Sequence, residues 1–154
     1  MHIAGVTAHP NGAWVTQRAR NIFATLSEEG KRPQILIRDR DVKLTKSFDS
    51  FLRSEGITVI RTPVAAPKAK AHAERWVGSV RRECLDRILI VSRGHLERVL
   101  GEYVAYHNTH RPHRALNQQA PIPKPIPICT PPSDAHVRRH DRLGGLLHEY
   151  ELAA

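Results

Sequence analysis

Apolar and polar positions alternate in "HIAGVTAH", residues 2–9, as they do along a short β-strand, and Pro10, Asn11 and Gly12 then interrupt the pattern with a turn. From about Thr16 to Ser27, Ala19, Ile22, Phe23 and Leu26 recur at helical spacing, and Glu28, Glu29 and Gly30 close that pattern. The run Ile35, Leu36, Ile37 in "PQILIRD" predicts a strand buried on both faces, ending at Asp39. "KSFDSFLRSEG" predicts a helix with Phe48, Phe51 and Leu52 inward, and "ITVIRTP" a second β-branched strand that Pro63 stops. After a basic loop, Ala73, Val77, Val80 and Cys84 form the apolar stripe of a helix from about Ala69 to Asp86. A last helix, about Ser92 to Asn108, turns Leu96, Val99, Leu100, Tyr103 and Val104 inward, with Ser92 placed to cap it. The order β-α-β-α-β followed by two helices predicts an α/β fold.

The chain changes character after residue 118. Six of its 11 prolines lie in "APIPKPIPICTPP", which sustains neither a helix nor a central strand and predicts an extended linker. The closing "RLGGLLHEYELAA" is expected to dock as a short helix. Two segments follow: a folded core over 1–118 and a Pro-rich linker and tail over 119–154.

Composition narrows the function. Lys and Arg number 24 against 15 Asp and Glu, a net charge of +9, which favours a polyanionic partner, nucleic acid first among them. The tail holds four basic and four acidic residues, so residues 1–118 carry the whole excess. No window approaches the ~20 consecutive apolar residues of a membrane span, and "MHIAGVTAHP" lacks a secretory layout, so a cytoplasmic protein is expected. Cys84 and Cys129 lie far apart without metal-site or disulfide spacing, and Cys84 reads as a packing residue.

Against this basic background two carboxylates stand where chemistry is commonly held: Asp39 at the carboxyl end of a strand, and Glu74 in the first turns of a helix. Paired carboxylates are the oxygen ligands that Mg²⁺ prefers, and a pair of such ions clamps the attacking and leaving oxygens of a phosphodiester. Surrounding Lys and Arg would hold the backbone that carboxylates alone repel. The plainer reading makes Asp39 a turn residue and Glu74 a partner of the helix dipole.

"LIRDRD", the 34 residues separating Asp39 from Glu74, "AERWVGSVRRECLDR" and "YVAYHNTHRPHRAL" together resemble the integrase core of bacterial insertion-sequence transposases, relatives of retroviral integrases, over residues 2–118. The tail phrase "RLGGLLHEYE" is similar to the C-terminal end of some members. The resemblance implies a ribonuclease-H-like fold and an Asp, Asp, Glu triad that uses Mg²⁺ or Mn²⁺ to cut DNA ends and join them to target DNA. It makes Asp39 the second metal-binding aspartate and Glu74 the glutamate, with Asp41 as the alternative to Asp39 should the strand end two residues later. Lys70, Arg75, Arg81 and Arg82 on the helix, and Arg111 and Arg114 beyond the last one, become candidate DNA contacts. Arg111 and Arg114 read equally as ties between their segment and the core. The family often has Asn where Lys70 stands.

The family's first aspartate lies on an opening strand, followed by a second strand, both preceding the stretch that "HIAGVTAH" matches. The resemblance therefore implies a partial core that lacks two strands and the first aspartate, inactive alone, with double-stranded DNA as partner and association with itself or with full-length transposase. The alternatives are a non-catalytic DNA-binding remnant and a gene fragment with no function of its own. The evenly spaced His107, His110 and His113 suggest a metal only weakly, because Pro112 breaks the helix that would align them. Trp14 and Trp76 read as packing residues.

Overall fold

The computed structural model describes residues 1–63, 67–122 and 136–153, the side chains of residues 67–70 and 153 excepted. The fold is mixed α/β and divides into two compact units, Ala4–Gly78 and Met1–Ile3 with Ser79–Ala154.

In the first unit, helix α1 (Gly12–Glu28) begins four residues before the hydrophobic pattern does, because Asn11 caps it: the Asn11 side chain accepts from the Trp14 N–H at 2.8 Å. Gly12 sits at that start for lack of room, since a Cβ there would lie 2.6 Å from Thr45 Cγ2. Strand β1 (Ile35–Arg38), helix α2 (Lys46–Ser54) and strand β2 (Thr58–Arg61) form a β-α-β unit, with the strands parallel and Ile37 opposite Ile60. Gly56 holds φ +75 just beyond α2, the left-handed turn that lets the chain leave the helix for β2. The core comprises Ala19 of α1, Phe48 and Leu52 of α2, and Ile57, with Phe23, Leu36, Phe51 and Val59 packed around them. Each such large side chain taken from water stabilises the unit by roughly 1.5–3 kcal/mol.

Two strand expectations need correction. Residues 2–9 have no ladder partner among the described residues, and the sheet of this unit is β1 and β2 alone. The apolar run of β1 is covered on one face: Leu36 meets the helices, whereas Ile35 and Ile37 are 56% and 59% exposed. Side chains alternate across a strand, so helices on one side of two strands cover every second residue.

Helix α3 (Pro67–Glu83) runs from the first unit into the second. Its buried stripe differs from the expected one, since Ala73 and Val77 are exposed and Trp76, Ser79, Val80 and Cys84 turn inward or partly so. Positions 73, 77, 80, 84 and positions 76, 79, 80, 84 share two members, 80 and 84, so spacing alone does not separate the two stripes, and the large indole lies on the second.

In the second unit, Ser92 caps helix α4 (Arg93–Thr109) by accepting from the His95 N–H at 3.1 Å, as expected. Val99, Tyr103 and His107, one turn apart, are its buried face. Cys84 is fully buried, and burial pushes its thiol up to about 11, consistent with a packing role. Residues 123–135, with most of the Pro-rich stretch and Cys129, lie outside the described residues. The closing segment is not a helix: strands β3 (His136–Arg142) and β4 (Leu147–Ala153) pair antiparallel as a seven-residue hairpin. The turn between them holds positive φ at Leu143, Gly144 and Gly145, so Gly-Gly serves the reversal of the chain. Leu147 and Glu149 face inward on β4 and alternate with exposed residues, a two-residue period that no helix shares.

Candidate functional site

Strand β1 ends at Arg38, which places Asp39 directly after it, half-buried, and leaves Asp41 two residues beyond on an exposed turn. The turn is built by the two aspartates themselves. Asp39 Oδ1 accepts from the Asp41 N–H at 3.1 Å, and Asp41 Oδ1 accepts from the Lys43 N–H at 2.9 Å while Lys43 Nζ reaches Asp41 Oδ2 at 3.0 Å. Asp39 therefore has the local role a turn aspartate would have, and it also stands at the carboxyl end of a parallel strand, where ligand crevices form.

Glu74 lies on α3, fully on its exposed side, and among the described residues its carboxylate forms no hydrogen bond or ion pair. Arg75 follows it, exposed, and Arg81 and Arg82 are exposed two turns further along the helix. Arg81 approaches Asp86 at 3.8 Å, a long contact between two largely exposed side chains. The side chain of Lys70 lies outside the described residues. Three basic side chains on one exposed helix surface can follow a phosphate backbone, but they do not form a cavity around a small ligand.

Among the described residues no three of His, Cys, Asp and Glu come together as a metal-holding group, His107, His110 and His113 included. The described residues therefore do not by themselves make a metal centre.

Beyond α4 the structure gives Arg111 and Arg114 different positions. Arg111 is partly buried, with Nε donating to Glu83 Oε2 at 2.8 Å and Nη2 to Glu83 Oε1 at 2.6 Å, so its geometry is that of a tie to α3. Arg114 is exposed on a short 3-10 turn, Arg114–Leu116. The His107 and His113 rings meet edge to face with centroids 4.6 Å apart, and burial, joined by the charge of His113, pushes His107 below its ordinary range. His110 Nδ1 lies 3.2 Å from the buried Glu149 carboxylate, which also takes Arg142 Nη2 at 3.1 Å. The histidines pack inside their unit, and among the described residues His107 Nδ1 and His110 Nε2 are buried without a hydrogen-bond partner.

Sequence reasoning missed a buried charge cluster in the first unit. Asp49 is 2% exposed and accepts from Arg38 Nε and Nη2, both at 2.8 Å, and from Arg61 Nη2 at 2.6 Å. Arg38 hydrogen bonding, aided by Arg61, holds the Asp49 carboxyl below its usual range despite burial. Two signals were available: Asp49 stands between Phe48 and Leu52, on the apolar side of its helix, and both strands end on Arg. The two arginines pair in register as Arg38 opposite Arg61.

Residues 55–121 match the family described as Integrase core domain. A protein of Burkholderia multivorans (strain ATCC 17616 / 249), described as Insertion element IS407 uncharacterized 31.7 kDa protein, is 28% identical over 90 residues, which cover 58% of this chain and 32% of that relative. The chain thus spans about a third of the length of the curated relative it matches. No solved structure matches. Among the described residues no helix is long and apolar enough to cross a membrane.

Proposed function

We propose, from the match of residues 55–121 to the integrase core model and the similarity to an insertion-element protein, that the chain works on double-stranded DNA as part of a transposase core with a ribonuclease-H-like fold. In this reading Arg75, Arg81 and Arg82, with Lys70 before them and Arg114 beyond α4, hold backbone phosphates. Asp39 and Glu74 are two carboxylates of a metal-binding set for Mg²⁺ or Mn²⁺, and a third must come from outside these residues. Cleavage and strand transfer are then absent from this chain alone, which acts in the cytoplasm, on DNA, with itself or with a longer transposase. The observation that carries the reading is the exposed row Glu74, Arg75, Arg81 and Arg82, lying inside the matched segment on one helix.

Filter binding of a DNA duplex over a salt series tests it. Each phosphate held contributes about 0.9 to the slope of log affinity against log salt. Replacing Arg75, Arg81 and Arg82 together by Gln is expected to weaken binding and make that slope shallower. A wild-type chain with no affinity at low salt would refute DNA binding, and Mg²⁺-dependent joining by the chain alone, lost in Asp39→Asn, would refute its inactivity.

A second reading, a non-catalytic DNA-binding protein, is favoured by one observation: the described residues assemble no metal-holding group. Unchanged thermal stability of the chain on addition of Mg²⁺ or Mn²⁺ supports this second reading, whereas stabilisation that Glu74→Gln removes supports the first.

A further inference from the structure

We propose that the cavity at the carboxyl ends of β1 and β2, outside the row on α3, binds one phosphodiester group of a nucleic-acid backbone. The cavity measures about 320 Å³, and Arg38, Arg40, Asp41, Val42, Lys46 and Arg61 line it. Four cations against the carboxylates of Asp41 and the underlying Asp49 leave a surplus of two positive charges. It forms entirely within the first unit, from the ends of two paired strands and the start of α2.

The hydrogen bonds divide the cations into two that are anchored and two that are more open. Arg38 spends Nε and Nη2 on Asp49 and Nη1 on the Asp39 carbonyl oxygen at 2.8 Å, so it is a fixed wall. Arg61 gives only Nη2 to Asp49, and that single strong bond orients a side chain otherwise 55% exposed, leaving Nε and Nη1 to a ligand. Arg40 gives only Nε, to the Thr62 carbonyl oxygen at 3.3 Å. Lys46 has no hydrogen bond or ion pair among the described residues. A planar guanidinium held from behind matches a phosphate by paired N–H donors, and its ordering costs nothing further when the ligand arrives.

The start of α2 supplies an independent reason to expect an anion. Thr45 stands at the cap position but makes no capping bond, its hydroxyl instead bonding the Ser47 hydroxyl at 2.8 Å. Lys46, the first helical residue, places a cation where the helix dipole disfavours one. The carboxylate of that first turn, Asp49, is taken by Arg38 and Arg61, so a bound phosphate would be the anion that meets Lys46 and the uncapped helix end. Departures from local rules of this kind are expected at functional or strained sites.

The proposal rests on the DNA reading only for the source of the phosphate, and the two are tested apart. Inorganic phosphate is titrated into the ¹⁵N-labelled full chain, with the Arg side-chain Nε–H signals followed by NMR. Saturable shifts at Arg40 and Arg61 are expected, and loss of the Arg61 shift in the Arg40→Gln, Lys46→Gln double variant, whose altered side chains are exposed and leave the core alone. Absence of any shift overturns the site, whatever affinity the chain has for DNA. In the second arm, the double variant is expected to bind a duplex more weakly, its salt slope shallower by about 0.9 for each phosphate it no longer holds. Phosphate shifts with duplex binding unchanged, or with no duplex binding by the wild type, would make the ligand a free phosphate and overturn the nucleic-acid assignment.

Discussion

Arg111 closes a two-pronged ion pair on Glu83, Nε to Oε2 and Nη2 to Oε1, while the Tyr103 hydroxyl donates to the same Oε2 at 2.8 Å. The three side chains come from the end of α3, the middle of α4 and the segment after α4, so one carboxylate ties three pieces of the second unit. The Arg111 hydrogen bond, then the Tyr103 bond, hold the Glu83 carboxyl below its ordinary value of 4.5 against the cost of burial. Glu83→Gln is expected to lower the unfolding free energy by about 1–3 kcal/mol, the range for a hydrogen-bonded charge that keeps some solvent screening. A carboxylate depressed on folding stabilises above its unfolded pKa and ceases to as pH falls through the folded value. The deficit of Glu83→Gln against wild type, measured by urea unfolding, should therefore shrink as pH falls below about 4.5. Equal deficits at neutral and strongly acid pH would contradict the assignment.

Asp49→Asn is expected to damage the first unit more severely. Removing one member of a fully buried ion pair costs about 3–5 kcal/mol, because the partners stay buried without their counter-charge. Arg38, itself 8% exposed, is the partner stranded. Arg61→Gln acts on a half-exposed side chain and should cost under about 1 kcal/mol, as exposed pairs do. Thermal melting of the two variants separates these outcomes, and comparable losses would show that Arg61, not Arg38, is the partner that matters.

What was legible in the sequence follows from the range of the interactions involved. Helices α1, α2 and α4 and strands β1 and β2 carry their periodicity within a few residues, so the Ser92 cap and the Phe48, Leu52 face could be read directly, whereas Asn11 read as a turn residue and its capping role did not show. The burial of Ile35 and Ile37 could not, because it depends on what lies across the sheet. The hairpin at the end escaped for a different reason: "RLGGLLHEYELAA" has a helical-looking cluster of leucines, and only cross-strand pairing from Val137 opposite Leu152 to Arg142 opposite Leu147 settles its period as two. For the candidate site, position singled out Asp39 and Glu74 but equally allowed a turn and a dipole partner, and the family resemblance supplied their metal-binding roles. The role of Arg111 needed Glu83, 28 residues earlier, which no local pattern connects to it.

His107 gives the second unit a pH dependence of the opposite chemical origin. Burial, then the charge of His113, push it below its ordinary value of 6.5, and Arg111 and the amino terminus act in the same direction. Among the described residues its Nδ1 is buried without a hydrogen-bond partner, so a proton there would be poorly accommodated. The unfolded chain takes that proton more readily. Stability is therefore complete above about pH 6.5 and falls as pH drops towards the folded value. Melting temperature should decline between neutral pH and about pH 5, and more gently in His107→Gln, which cannot ionise. An identical decline in the variant would assign the effect to another group.

Ile35, Ile37 and Ile60 lie on the uncovered face of the first unit's sheet, and Ile37 pairs in register with Ile60. Their exposures of 56%, 59% and 44% mean that folding takes little of these side chains out of water. Replacing Ile35 and Ile37 by Thr keeps the β-branch that suits a strand and removes apolar surface. Stability should therefore change by no more than about 0.5 kcal/mol per site, as for other surface positions. Contiguous exposed isoleucines do favour association in water, however, so the same pair of changes should lower any self-association seen by sedimentation at high protein concentration. A large loss of stability would instead mean that this face is covered in solution, and its size would measure how much apolar area the cover removes.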